Sequence, residues 1–296
     1  AASKLHNPSM DTELWKKSAK AAIDIINTGL YSLDPQESAN NLDSKEVVLM
    51  RINGDNSDFE MFNLPLRMTA GTRTSSLIPQ SPYENRDKRF YRAILANGMS
   101  FKDYTIETFK GGADDGIVSQ GGSPTGYFLR KYIQEATSFE PGKEAVSKHH
   151  WVIYRYAETL LTYAESMVNA FNDVNYTDET YKYSALWAIN EVRKNADMPL
   201  IPSMGKDEFM ERLYNEWRVE FAFEDHRFWD VRRWKIADTT QRELYGVKIE
   251  KQADGTFNFY KNLYETRNWR DCMYLYPIPQ SELYKNTNLN PQNTGW

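Results

Sequence analysis

Hydrophobic positions recur with helical spacing at the start of the chain and again through its second half, and lose that spacing in between. Over residues 11–30, Trp15, Ala19, Ala22, Ile23 and Ile26 fall on one face and predict an amphipathic helix. Asp11 or Thr12 is placed to cap it, and Gly29 to close it as a left-handed C′ residue. The small Ala19 and Ala22 allow a second helix to pack closely. Residues 149–172 give the next helical pattern, with Val152, Tyr156, Leu160, Tyr163, Met167 and Phe171 interleaved with Ile153, Ala157, Leu161, Ala164 and Val168. A further helix is expected over 178–196, its inner face Tyr181, Ala185, Ala188, Ile189 and Val192; the short NDVNYT link makes the two an antiparallel hairpin. Pro199 and Pro202 interrupt the chain before a last helix over 207–236. There Phe209, Leu213, Trp217 and Phe221 recur every four residues, and Asp207 stands at the expected N-cap.

Residues 31–150 lack this periodicity and are punctuated by glycine, proline, serine and asparagine. EVVLMRI (46–52) reads as a short strand. The polar stretch 111–126 is not a phosphate cradle, since no GKS or GKT follows it. Asp114 and Asp115 alone do not make a calcium loop, and a solvated loop is the better reading. Residues 237–265 read as an exposed excursion turning at 253–255, and the proline-bearing tail 274–296 as an extended strap.

Charge enters the picture chiefly in the last helix. Glu220, Glu224 and Asp230, with His226 as a shuttle, could serve acid–base chemistry. Alternatively Arg155, Glu158, Glu216, Arg218, Glu220, Glu224, Arg227, Asp230 and Arg232 form an ion-pair lattice that locks helices together. Arginines beside carboxylates lower their pKa rather than raise it, which favours the lattice. The 296-residue chain has a net charge of −5, so it lacks the basic excess that a nucleic-acid partner requires. Aromatic residues make up 14%, enough to supply both core and stacking platforms. Cys272 is the only cysteine and reads as a packed thiol in an extended segment, leaving no disulfide or cysteine-based metal cage. His149 and His150 are adjacent, so on a helix they read as a capping pair rather than metal ligands. No cofactor motif or nucleophile motif is present, and no run reaches membrane-spanning length.

The segment EWRVEFAFEDHRFWDVRRWK (216–235) closely resembles the signature ER-x-x-EFAFEGHR-x-x-DLRRW of the SusD/RagB family. It carries Trp217 where arginine is usual and Asp225 where glycine is usual, and Asp tolerates a positive φ better than most residues. The opening AASKLHNP with its helix, YENRDKRFYRAILANG (83–98), GYFLRKYI (126–133), RYAETLLTYAES (155–166), ALWAINEVRKNADMP (185–199) and YLYPIP (274–279) resemble further elements of the family. The resemblance implies a mainly α fold of tetratricopeptide-like helical hairpins, with a large irregular loop-rich region and few short strands. On that pattern residues 1–33 end a helical-repeat region, 34–148 form a loop-rich ligand-facing region, and 149–296 form a hairpin, the signature helix and the tail. Further repeat pairs are expected to precede residue 1.

By the same resemblance the intact protein is expected to be a surface-exposed outer-membrane lipoprotein of Bacteroidetes, anchored by a lipid outside this chain. It would bind oligosaccharide without cleaving it, use no cofactor, and pass its cargo to a SusC-like TonB-dependent transporter. A peptide-binding receptor of the RagB kind, a helical-repeat scaffold and a glycoside hydrolase stand as alternatives. The family motifs do not fix ligand residues. Residue type and loop location in 53–83 point to Phe59, Phe62 and Tyr83 as stacking surfaces and to Asn63, Arg67 and Arg73 as donors to hydroxyls, with local core as the competing role for the two phenylalanines. A hydrolase should show a carboxyl of raised pKa in a cleft. A scaffold should show a long apolar groove, and a sugar receptor a shallow aromatic platform flanked by donors.

Overall fold

A computed structural model describes residues 3–35, 38–65, 83–116, 122–240 and 242–296. The first helix, α1 (Thr12–Asn27), forms as the pattern requires: the Asp11 side chain accepts from the Glu13 amide, and Gly29 takes φ +63° just past the end. It packs on α4 (Tyr156–Phe171), which packs in turn on α5 (Ala185–Asn195) and α6 (Lys206–Glu220). Ala19, Ala22, Leu160, Ala164, Ala188 and Ile189 are fully or almost fully buried between these helices, beside Phe209, Leu213, Trp217 and Phe221. Small residues at the crossings let the helix backbones approach while the rings of α6 fill the remaining volume. The fold is mainly α, built of tetratricopeptide-like hairpins, with an irregular region and short strands set against it.

Strands pair only in twos among the described residues. The pair that matters for function is antiparallel: β1 (Val47–Asn56) against β6 (Ser147–Arg155), with Trp151 opposite Arg51 and His150 opposite Ile52. Between them in sequence lie α2 (Asp58–Asn63), α3 (Lys88–Ala93), the β2 (Ile94–Ala96)–β5 (Tyr127–Leu129) pair and the β3 (Ser100–Phe101)–β4 (Tyr104–Thr105) pair. Leu64, Leu95, Phe101, Ile106 and Ile133 form a second, smaller core beneath α2.

Several sequence expectations are corrected. Residues 149–155 are strand, not helix: His149 to Arg155 carry apolar and aromatic residues whose run satisfies either period, and pairing with β1 decides it. His149 and His150 therefore cap no helix. Residues 178–184 are not helical either, because the Asp178 carboxylate accepts from the amides of Thr180 and Tyr181 and holds a local turn, and Ser184 caps α5 instead.

The 207–236 helix is broken. α6 begins one residue early, with Gly205 as its N-cap, and ends at Glu220; α7 (His226–Arg233) follows a turn in which Phe223 and Asp225 have φ of +64° and +68°. Asp225 thus occupies the left-handed conformation that makes glycine usual at this position. The break has an electrostatic cause: Arg155 Nη2 donates to the Glu220 carbonyl at 3.0 Å, and Lys131 Nζ and Arg155 draw the Glu224 carboxylate inward.

After the short α8 (Ala237–Thr240), the supposed excursion is a β-hairpin, β7 (Glu243–Lys251) and β8 (Phe257–Thr266). The Val247 amide bonds to the Thr125 carbonyl, and a Cβ on Gly246 would sit 2.6 Å from Thr125 backbone atoms, so glycine permits this contact. The tail is not uniformly extended, since α9 (Gln280–Lys285) starts directly after Pro279. Cys272 lies half-buried in a 3₁₀ turn rather than in a strand. Among the described residues no helix is long and apolar enough to cross a membrane.

Candidate functional site

The turn after α6 is the electrostatic centre of the molecule. Arg155, at the end of β6, bonds to Glu46 at 2.5 Å, Glu220 at 2.7 Å and both Glu224 oxygens at 2.8 and 2.9 Å. Its guanidinium also lies 4.4 Å from the Phe221 ring centroid. Arg89 joins Glu216 and Glu220, Arg193 takes the other Glu216 oxygen, and Lys131 takes Glu224. Burial alone would raise the Glu224 carboxyl, but Arg155 and Lys131 outweigh it and hold the group at about 2. Burial opposes Glu220 in the same way, and Arg155 and Arg89 again hold it below the ordinary range. These carboxylates stay ionised at neutral pH and are saturated with donors, the state of structural anions rather than general acids. A second set joins Arg233 to Glu165 and Asp230, with Trp234 Nε1 donating to Glu165 at 2.9 Å.

Not every residue expected in the lattice takes part. Arg218 reaches the Asn215 side chain, and Arg232 donates to the Phe228 carbonyl while its guanidinium lies 3.5 Å over the Phe228 ring. Neither these two nor Arg227 has a carboxylate within ion-pair distance among the described residues; Arg218 lies on α6 and the other two on α7. Glu158 faces His226 rather than an arginine, with Oε2 3.6 Å from Nε2. Burial pushes Glu158 up to about 8 and His226 down to about 4, so both are neutral at pH 7 and the contact is not an ion pair there. His226 packs on Phe221 at 4.3 Å between ring centroids. The lattice residues Arg89, Lys131, Arg193 and Glu46 are not legible from the signature helix because they come from α3, α5 and two loops distant from it in sequence.

An open cavity of about 350 Å³ lies where α2 crosses the β1–β6 pair, lined by Asn53, Asn56, Asp58, Phe59, Phe62, Asn63, Tyr132 and Trp151, with His149 and His150. Phe62 is 82% exposed at its edge. Tyr132 and Trp151 stack at 4.7 Å with an interplanar angle of 20°, and Phe59 meets Tyr132 edge-on at 5.8 Å. Phe59 also packs on the smaller core, so it serves as wall and core together. Tyr132 has φ +68°, and Asn40 holds the backbone there: its Oδ1 accepts from the Tyr132 amide at 2.9 Å and its Nδ2 donates to the Ile133 carbonyl at 2.7 Å. Beneath the rings, buried Glu60 faces His149 Nε2 at 3.1 Å and accepts from the Gln134 amide at 2.8 Å. The bond to Gln134 ties α2 to the loop that carries Tyr132.

The sequence-chosen binding residues divide accordingly. Phe59, Phe62 and Asn63 meet in this cavity, although Asn63 Nδ2 donates to the Phe59 carbonyl at 2.7 Å, which leaves its Oδ1 and one N–H to face outward. Tyr83 lies elsewhere and is 4% exposed, packed against Phe90, Tyr127 and Phe259, so it offers no face to a ligand. Arg67 and Arg73 fall outside the described residues. Tyr132 and Trp151 were missed: Trp151 points into the cavity only because 147–155 is a strand, and Tyr132 only because of its left-handed backbone. Among the described residues no group of three His, Cys, Asp or Glu side chains is placed to hold a metal ion.

A profile of the SusD family (SusD_RagB) matches residues 59–296. The chain belongs to the SusD family. A relative named SusD-like protein P2, from Formosa agariphila, is 32% identical to this SusD-family protein over 160 residues, which are 51% of this chain and 26% of that one. Among solved structures, a SusD-like protein from Bacteroides fragilis superposes with a TM-score of 0.73 at 24% identity, covering 99% of this chain and 63% of its own. A SusD-like carbohydrate-binding protein from the same species gives a TM-score of 0.70 at 23% identity, covering 95% of this chain and 62% of its own. Surface glycan-binding protein A from Bacteroides thetaiotaomicron gives 0.55 at 19% identity, covering 96% and 60%. These structures share the SusD fold, and the chain spans less than two thirds of the length of each of these relatives.

Proposed function

We propose that this SusD-family protein binds oligosaccharide in the Phe62–Trp151 cavity at the cell surface, without cleaving it, and delivers it to a SusC-like TonB-dependent transporter. The observation that carries the binding site is half-buried Trp151, backed by the buried ring of Tyr132, beside exposed Phe62, rimmed by Asn53, Asn56 and Asp58. Ring faces take the C–H face of a sugar, and the short polar side chains at the rim can pair with its hydroxyls. The carbohydrate- and glycan-binding descriptions of two structural neighbours support the same reading. Binding is favoured over hydrolysis because the carboxyl held near 8, Glu158, does not line this cavity, and neither does Glu60, which is buried beneath it and accepts from the Gln134 amide. Anchoring by lipid outside this chain and location on the outer membrane belong to this proposal. So does the role of Arg67 and Arg73 as donors to sugar hydroxyls.

The test is calorimetric titration against a panel of host and plant oligosaccharides, with product analysis of each mixture. Saturable binding with every oligosaccharide recovered intact is expected. Cleavage would contradict the reading, and silence across the panel beside binding of oligopeptides would replace sugar with peptide cargo.

A further inference from the structure

A second cavity, of about 450 Å³, opens between α7 and the segment that follows the hairpin. Its walls are Arg227, Phe228, Arg232, Arg267, Asn268 and Trp269. It shares no lining residue with the Phe62 cavity. The Arg232 guanidinium lies 3.5 Å from the Phe228 ring centroid and 5.1 Å from that of Trp269. Stacking of this kind fixes the guanidinium plane while leaving N–H groups along its edge, the arrangement that takes a carboxylate through two parallel bonds. One of its nitrogens, Nη1, is already given to the Phe228 carbonyl at 2.8 Å, which fixes the orientation further.

Three arginines gather around this cavity in a chain whose net charge is −5. Arg227 and Arg232 have no carboxylate within ion-pair distance among the described residues, and Arg267 has Glu265 at 3.5 Å. Burial and the neighbouring Arg218 lower the Arg227 pKa, and Asp230, which opposes them, is itself bonded to Arg233. The buried and half-buried arginines Arg89, Arg155, Arg193 and Arg233 are neutralised by glutamate or aspartate, whereas Arg227 and Arg232 line a cavity with aromatic walls. An aromatic wall beside a guanidinium fork suits a ring with one apolar C–H face and an equatorial carboxylate.

We propose that this cavity is a second carbohydrate site, selective for sugars that carry a carboxylate, with Arg232 as the carboxylate fork, Phe228 and Trp269 as ring platforms, and Arg227 as a second positive charge. Its volume is in the range of small-ligand pockets and suits about one or two sugar rings rather than an extended chain. The proposal does not rest on the Phe62 cavity.

The experiment titrates the protein with tetra-galacturonate and tetra-mannuronate, each beside its carboxyl-reduced neutral counterpart, and with tetra-glutamate. At least one uronate should bind about tenfold or more tightly than its neutral counterpart, as a charge-assisted pair implies, and should weaken as salt is raised. Arg232→Gln should abolish that preference, and Arg232→Lys should restore only part of it, because the charge returns without the fork. Thermal unfolding of both variants checks that the fold is intact. The double variant Phe62→Ala/Trp151→Ala should keep the preference, which separates this site from the first. Uronates binding no better than neutral sugars, a preference surviving Arg232→Gln or lost with Phe62→Ala/Trp151→Ala, or equal affinity for tetra-glutamate would each overturn the proposal.

Discussion

Replacing Glu158 by Gln should stabilise the protein at alkaline pH and leave it unchanged at acid pH. Glu158 sits in the first turn of α4 with its Oε2 buried and without a hydrogen-bond partner, and its side chain is 19% exposed. Burial is the largest influence; Arg155 and Arg233 oppose it, Asp230 and Glu224 add to it, and the carboxyl stands at about 8 against an ordinary 4.5. A carboxyl raised on folding keeps its proton in the native state over that interval while the unfolded chain has lost it. Stability therefore falls as pH rises from about 4.5 to 8.

At about 1.4 kcal/mol per pH unit the full interval sets a ceiling of about 5 kcal/mol, and partial exposure brings the expected loss to on the order of 2–3 kcal/mol. Gln imitates the protonated acid and carries no such loss. Urea unfolding of both proteins at pH 4.5 and pH 8.5 should give about equal stabilities at the first and a gap of on the order of 2–3 kcal/mol in favour of Gln at the second. His226, lowered to about 4 by burial, titrates in both proteins and cancels in the difference. A gap that does not grow with pH would show Glu158 ionised and paired, and would refute the burial argument.

Three further outcomes follow from the same geometry. Arg155→Met leaves Glu46, Glu220 and Glu224 without their shared cation and should cost about 3–5 kcal/mol in denaturant unfolding. Because Glu224 is held at about 2, its share of stability is present above the ordinary 4.5 and lost as pH falls toward 2; the urea midpoint of the native protein should drop through that window, and less steeply in Lys131→Met. Asn40→Ala removes both bonds that hold the Tyr132 backbone left-handed, and should weaken sugar binding severalfold while lowering stability by about 1–2 kcal/mol, read by titration and melting.

How far the sequence discloses this molecule depends on whether a residue's role is set locally. The buried face of α1, the rings of α6 and the left-handed Asp225 follow from spacing, capping and comparison with the family signature, all short-range signals. The break after Glu220 does not, because it is produced by Arg155 and Lys131, which arrive from residues 65 and 89 positions away. The same limit governs the cavity. Phe59 and Phe62 are legible as rings on a loop-rich stretch, whereas Trp151 faces them only through the pairing of β6 with β1, and Tyr132 only through Asn40, 92 positions away. Tyr83 looks like a platform by residue type and becomes core because the hairpin residue Phe259 closes over it.

The most direct test of the central claim is titration of Phe62→Ala/Trp151→Ala with the best oligosaccharide found for the native protein. Phe62 is 82% exposed and Trp151 is only half-buried, so the fold should survive with a small change in melting temperature. Loss of two stacking faces should weaken binding by about tenfold to a hundredfold. Native affinity in a folded double variant would contradict the account and move the sugar to another surface of the chain.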